Sequence, residues 1–269
     1  MTKTRFSILH LGSLDIPRNE NITPETPEIE AEDRRLQIPI YAILIQHKTL
    51  GNILFDTGAA MDWRQTWSET FKERYSFKEE YSLIERLREC GLTLDDIDLL
   101  IMGHLHFDHA GNLKLFAGLK AGQNVLVGEP EARHAFYEAN IVEDGFSGAY
   151  IRDEYCGIPG IQYKVMPPGD VELADDLKLI AQKGHTPQVW GIVIKTEDSG
   201  NFVLTSDGIH NLKNWEPPVQ LPGLCMFPEA YMENIEKMKE LVEYYDARVL
   251  IGHDFENYNE FKKSPSFYE

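Results

Sequence analysis

Between Ile101 and Asn112 the chain reads IMGHLHFDHAGN, so that His104, His106, Asp108 and His109 fall within six residues. Imidazole and carboxylate are the ligands expected for Zn²⁺ and similar first-row ions, and the absence of cysteine here argues against a structural thiolate site. His104 and His106 are two residues apart, so an extended strand end would point both the same way, while Asp108 and His109 come where the chain turns toward a helix. The spacing suits two adjacent metals. Three more candidates each follow an apolar, strand-like run: His185 in LIAQKGHTPQ, Asp207 in FVLTSDG and His253 in VLIGHDF. Alone, each would be an ordinary turn residue. In open α/β sheets, however, ligands gather in the crevice outside the carboxyl ends of strands, where residues distant in sequence converge.

Seven such ligands suffice for two divalent ions, Zn²⁺ first, with Mn²⁺, Fe²⁺ or Co²⁺ permitted by the same ligand types. A metal pair can lower the pKa of water from about 15.7 toward about 7, supplying a hydroxide, and can polarise a carbonyl. The expected chemistry is therefore hydrolysis. Asp108, both a ligand and near the hydroxide, is the candidate to carry a proton to the leaving oxygen. No G-x-S-x-G nucleophile motif competes with water attack.

Elements of two kinds must position these side chains. Short β-branched runs are followed by helical patterns, which predicts an α/β layered architecture. IPIYAILIQHK and NILFDTG flank TLG and read as a hairpin; YSLIERLREC reads as a helix ending at Gly91, and a buried strand starts at Ile97. NVLVG, LKLIAQKG and a hairpin of WGIVIKT with NFVLTSD follow. PEAYMENIEKMKELVEYY has apolar residues at helical spacing with Pro228 in its first turn, and RVLIGHD is the last strand. Two irregular stretches, PRNENITPETPEIEAEDRR and EANIVEDGFSGAYIRDEYCGIPG, read as excursions from the core.

With 26 Lys+Arg against 44 Asp+Glu the net charge is −18, which disfavours nucleic acid and anionic membrane surfaces as partners. A small-molecule substrate is expected instead. The N-terminus lacks the apolar region of a secretory signal and no run approaches membrane-spanning length, so the expectation is a cytoplasmic protein forming one domain over residues 1–269. Three scattered cysteines suit a reducing compartment.

The HxHxDH motif at His104, His106, Asp108 and His109, followed by His185, Asp207 and His253, resembles the metallo-β-lactamase superfamily. That resemblance implies an αββα sandwich of two mixed sheets flanked by helices. It also implies that His104, His106 and His185 hold one metal, Asp108, His109 and His253 the other, and Asp207 bridges. Asp56 in LFDTG looks like a further family feature, placed behind the ligands to orient one of them; otherwise it is a turn aspartate before Gly58. HLHFDHAGN, GHTP, the early hairpin and the late GHD are similar to the N-acyl homoserine lactonase group, which implies attack of a metal-bridging hydroxide on a lactone carbonyl. Other readings are a hydrolase of the same superfamily acting on a thioester, carboxylic ester or phosphodiester, a redox protein of the flavodiiron type, and a non-enzymatic sensor.

One departure stands out. Many of these lactonases carry a tyrosine three residues after the bridging aspartate, and here that position is His210, which could donate a hydrogen bond, act as general acid, or be an exposed loop residue. Aromatic candidates for a substrate pocket are Phe107 and Trp215, then Trp63, Trp67, Phe71, Phe146, Tyr150 and Phe227, each of which could equally pack in the core. The acidic N-terminal stretch is a candidate lid or homodimer contact.

Overall fold

Near-continuous apolar runs imply strands buried on both faces. The computed structural model, which describes residues 3–23 and 35–269, shows both faces covered. The first sheet contains β1 (Arg5–Pro17), β2 (Arg35–His47), β3 (Gly51–Phe55), β4 (Ser76–Glu79), β5 (Leu99–Ile101) and β6 (Val125–Gly128). Two short strands, β7 (Phe146–Ser147) and β8 (Tyr150–Ile151), pair with each other, and β9 (Tyr163–Met166) completes the first sheet in the order β4-β1-β2-β3-β5-β6-β9. Pairing is antiparallel from β4 to β3 and parallel from β3 to β9. The second sheet holds β10 (Val171–Ala174), β11 (Leu177–Gln182), β12 (Val189–Lys195), β13 (Asn201–Leu204) and β14 (Ala247–Leu250), antiparallel except for the parallel β13–β14 pair.

Alternation along each strand divides its side chains between two cores. Phe6 and Ile8 of β1, Ile43 and Ile45 of β2, and Trp190, Ile192 and Ile194 of β12 meet between the sheets. Leu9, Ala42 and Leu44 face the other way, with Leu87 of the helix Leu83–Glu89 and Ala132 and Ala135 of the helix Glu129–Ile141. On the far side Ile180, Val193 and Val203 pack with Met238 of the helix Pro228–Tyr245. The expected αββα sandwich of two mixed sheets is what these faces build. No helix among the described residues is long and apolar enough to cross a membrane.

Three readings are corrected. β1 is missing from the expected strands, although its thirteen residues pair with both β2 and β4. The middle irregular stretch is no excursion: Tyr150, Ile151 and Tyr155 are buried in the first core, because its loops fold back under the helix Glu129–Ile141. The strand expected from Ile97 begins at Leu99, after a short 3₁₀ turn over Leu94–Asp96. In the other irregular stretch, Arg18–Asn21 form one helical turn and residues 24–34 lie outside the described residues.

Strand direction gathers the site. β11 and β13 are each antiparallel to β12 and so run the same way, with β14 parallel to β13. His185, Asp207 and His253 therefore leave the second sheet at one edge. β3 and β5 are parallel, so Asp56 and His104 leave the first sheet together.

Candidate metal centre

Seven ligand side chains meet at this edge in two groups. His104, His106, His185 and Asp207 form one, Asp108, His109 and His253 the other, with ligand atoms within 4.8 Å of one another in each. All seven residues are buried. Asp207 lies between the groups: its Oδ2 is 3.6 Å from His104 Nε2 and 3.4 Å from His185 Nε2, while its Oδ1 is 3.0 Å from both His109 Nε2 and His253 Nε2. Asp108 Oδ2 is 3.4 Å from His253 Nε2 and 3.7 Å from His109 Nε2.

The outward ring nitrogens are occupied in a way that frees the inward ones. Asp56 Oδ2 is 2.7 Å from His109 Nδ1, the Leu224 carbonyl accepts from His185 Nδ1 at 2.8 Å, and the Pro39 carbonyl accepts from His253 Nδ1 at 3.3 Å. Such partners place the proton on Nδ1, leaving an Nε2 lone pair toward the centre. His104, wholly buried, has no hydrogen-bond partner on either ring nitrogen among the described residues, and His106 Nδ1 faces His185 Nε2 at 3.0 Å. Buried polar atoms without partners are rare, and two inward-facing ring nitrogens at this separation suit a shared cation. The donor set fits two divalent ions.

Electrostatics agree. Burial and neighbouring histidines hold His104 and His106 well below the usual imidazole pKa, and burial with His210 nearby lowers His185 to about 3, so these rings are neutral. His109 is the exception: burial opposes its charge, but Asp207, Asp108 and Asp56 outweigh it and raise that imidazole, so the acids around the second group favour positive charge there. Burial would raise Asp207, yet His253, His109 and His104 hold its carboxyl well below the usual range.

The loops that hold the ligands are tightly specified. Asp56 takes a left-handed conformation (φ 59°) and its Oδ1 accepts from the Gly103 backbone N–H at 2.7 Å. A Cβ at Gly103 would lie 2.9 Å from the Phe55 ring and 3.0 Å from Asp56 Oδ2, so a larger residue here would have to push these side chains aside. Asn112 at the end of the motif donates to the Thr57 and Ala59 carbonyls, while Thr57 Oγ1 donates to the His109 carbonyl. Sequence reasoning passes over Asn112 and Glu131. Glu131, fully buried, accepts from Leu105 N at 2.9 Å and from Tyr150 Oη at 3.0 Å, and burial raises its carboxyl to about 7. In sequence it is one of several acids along a helix; only the buried end of Tyr150 in the following loop marks it.

His210 is no exposed loop residue: it is 3% exposed, its Nε2 lies 3.4 Å from Asp207 Oδ2, and its Nδ1 is 3.3 Å from Tyr231 Oη. Tyr231 also accepts from the His210 backbone N–H. Phe107 borders a narrow cavity that reaches His106, Asp108, His185, Asp207, His210 and His253, and it packs on Trp67, Phe71 and Tyr75. Beside this, sharing His106, Ala149, His185 and Leu224 as walls, opens a cleft of about 310 Å³ bordered by His134, Glu138 and Tyr150. Trp215, by contrast, is absent from these walls: it packs against the clusters that Tyr231, Ile235 and Met238 of the helix Pro228–Tyr245 form with the second sheet and its loops, where Lys239 lies 5.8 Å from its ring. Phe227 is exposed at the start of that helix, and Trp67 and Phe71 serve as the packing behind Phe107.

A model of the metallo-beta-lactamase superfamily matches residues 36–253 of this chain. An N-acyl homoserine lactonase of Bacillus thuringiensis is 30% identical over 241 residues, covering 86% of this chain and 88% of that protein. The N-acyl homoserine lactonase AiiB of Agrobacterium fabrum is 27% identical over 281 residues, covering 98% and 99%. The solved structure of a B. thuringiensis AiiA variant with N-decanoyl-L-homoserine bound at the active site superposes with a TM-score of 0.81 at 26% identity, over 100% of both chains. Together with the sandwich and the paired ligand groups, these matches place the chain: it belongs to the metallo-beta-lactamase superfamily, as an enzyme resembling its N-acyl homoserine lactonases.

Proposed function

We propose that this enzyme opens a lactone ring by hydrolysis, with an N-acyl homoserine lactone or a related lactone as its substrate. The observation that carries the reading is the narrow cavity: apolar walls of Leu14, Ile16, Ile38 and Phe107 run directly onto the two ligand groups and His210. Such a channel suits an alkyl or acyl chain attached to a compact ester. The likeness to N-acyl homoserine lactonases supports the same assignment.

His104, His106 and His185 would hold one divalent ion, Asp108, His109 and His253 the other, with Asp207 between them. Such a pair, when bound, supplies hydroxide at neutral pH and polarises an ester carbonyl. Asp108 borders the cavity as well as the second group, so its carboxylate is placed to pass a proton to the ring oxygen that leaves. His210 presents Nε2 to the same cavity, with Nδ1 held by Tyr231, and donates a hydrogen bond to the substrate carbonyl or the product carboxylate.

Elemental analysis of the purified protein should find about two ions per chain. A pH-indicator screen over acyl homoserine lactones, aliphatic γ- and δ-lactones, thioesters, simple esters and phosphodiesters should show lactone opening; turnover of thioesters, simple esters or phosphodiesters alone would refute the proposal. Asp108→Asn should cut kcat by about 100-fold or more even where metal is retained. His210→Phe should change kcat or KM without emptying the metal site, and unaltered kinetics would remove His210 from the mechanism.

A further inference from the structure

The narrow cavity contains a polar side chain that none of the interactions described so far uses. Asn21 is 1% exposed, borders the cavity together with Tyr75, Phe107 and His210, and neither its amide nitrogen nor its amide oxygen has a hydrogen-bond partner among the described residues. A buried carboxamide with both donor and acceptor unmet is costly to a folded protein, and such groups are uncommon. Its neighbour Glu20 differs, since that carboxylate pairs with Arg74.

The backbone around Asn21 is firmly held. Gly223 N donates to the Asn19 carbonyl at 2.9 Å, Leu224 N to the Glu20 carbonyl at 3.0 Å, and Asn214 Nδ2 to the Asn21 carbonyl at 3.2 Å. A Cβ at Gly223 would fall 2.2 Å from the Asn19 carbonyl oxygen, so the two segments touch without side chains between them. Asn214 Oδ1 in turn lies 3.5 Å from Tyr231 Oη, which contacts His210. Asn21 is therefore fixed relative to the site while its side chain is left free for something that enters the cavity.

We propose that Asn21 determines specificity by hydrogen-bonding an oxygen on the acyl side of the substrate, so that lactones carrying an amide, keto or hydroxyl oxygen there are preferred over plain alkyl lactones. The proposal rests on the lactonase reading for its substrate class. A site built to hydrogen-bond such an oxygen rejects an analogue lacking it, because the carboxamide is then buried unpaired again.

The test uses the full-length, metal-loaded enzyme and the variants Asn21→Leu and Asn21→Ser. The readout is the ratio of kcat/KM for N-octanoyl and 3-oxo-octanoyl homoserine lactones to that for an alkyl γ-lactone of similar length. Asn21→Leu should lower the ratio by about 10- to 100-fold, and Asn21→Ser, which keeps a donor and an acceptor, should lie between. A fall for the 3-oxo compound alone assigns the contact to the keto oxygen; a fall for both assigns it to the amide. Because the leucine removes an unpaired buried group, its ligand-free Tm should equal or exceed that of the wild type, which a structural role for Asn21 would reverse. Calorimetric binding of ring-opened N-octanoyl-L-homoserine and of 4-hydroxydodecanoate reads the same discrimination without turnover. If the wild type opens no lactone the function fails, whereas Asn21 still stands or falls on whether the leucine weakens the first acid selectively. An unchanged ratio in both assays, or a lowered Tm with equal loss on all compounds, would overturn the inference.

Discussion

Asp56 shows how a single carboxylate can set up half of a metal site. One oxygen accepts from Gly103 N and the other faces His109 Nδ1 at 2.7 Å, so the ring presents Nε2 inward. An asparagine in its place would keep the left-handed backbone at little strain, since that residue type tolerates φ near 59°. The carboxamide would set an N–H against the His109 Nδ1–H, unless the ring moved its proton to Nε2 and lost its inward lone pair. Asp56→Asn should therefore weaken the second metal by about 10- to 100-fold, leaving about one ion per chain in a titration that gives the wild type two; two ions of unaltered affinity would return Asp56 to the role of a turn residue. The seven ligand candidates are legible in the sequence because each is a metal-binding type in or directly after a strand-like run. Asn21, Glu131 and Tyr231 are not, because nothing local separates a buried polar side chain from the exposed ones that it resembles.

At the level of elements, the site depends on how closely the loops after β13 and β14 approach. Gly252 N donates to the Ile209 carbonyl at 3.0 Å and His253 N to the His210 carbonyl at 2.8 Å. A Cβ on Gly252 would sit 2.3 Å from the Ser206 carbonyl oxygen, in a loop where Ser206 already holds φ at 47°. The methyl has backbone against it and no flexible side chain to displace. Gly252→Ala should therefore part His253 from Asp207, cost about 1–3 kcal/mol and lower the second-metal occupancy; wild-type Tm and metal content in this variant would show that the contact yields cheaply. The apolar runs reveal most strands because burial on both faces leaves an uninterrupted signal. β1 escapes because His10, Gly12, Ser13 and Asp15 interrupt its run, and the middle loops escape because their buried residues follow neither a two-residue nor a helical period.

At the scale of the whole molecule, the sandwich encloses acids that the chemistry does not use. Glu154, 1% exposed in the helical turn Arg152–Tyr155, accepts from Trp67 Nε1 at 2.8 Å, and burial raises its carboxyl to about 8. Between pH 4.5 and about 8 the unfolded chain has lost this proton while the folded chain keeps it. The folded state then binds more protons, so this group's contribution to stability falls as pH rises through that window. Glu154→Gln removes the titration but retains a carbonyl to accept from Trp67. Its Tm should match the wild type near pH 4.5 and exceed it increasingly toward pH 8, by the equivalent of about 4 kcal/mol. Compared at the same pH and the same metal loading, the difference between the two proteins reads Glu154; a difference that stays constant from pH 5 to pH 8 would mean that the carboxylate is ionised in the fold.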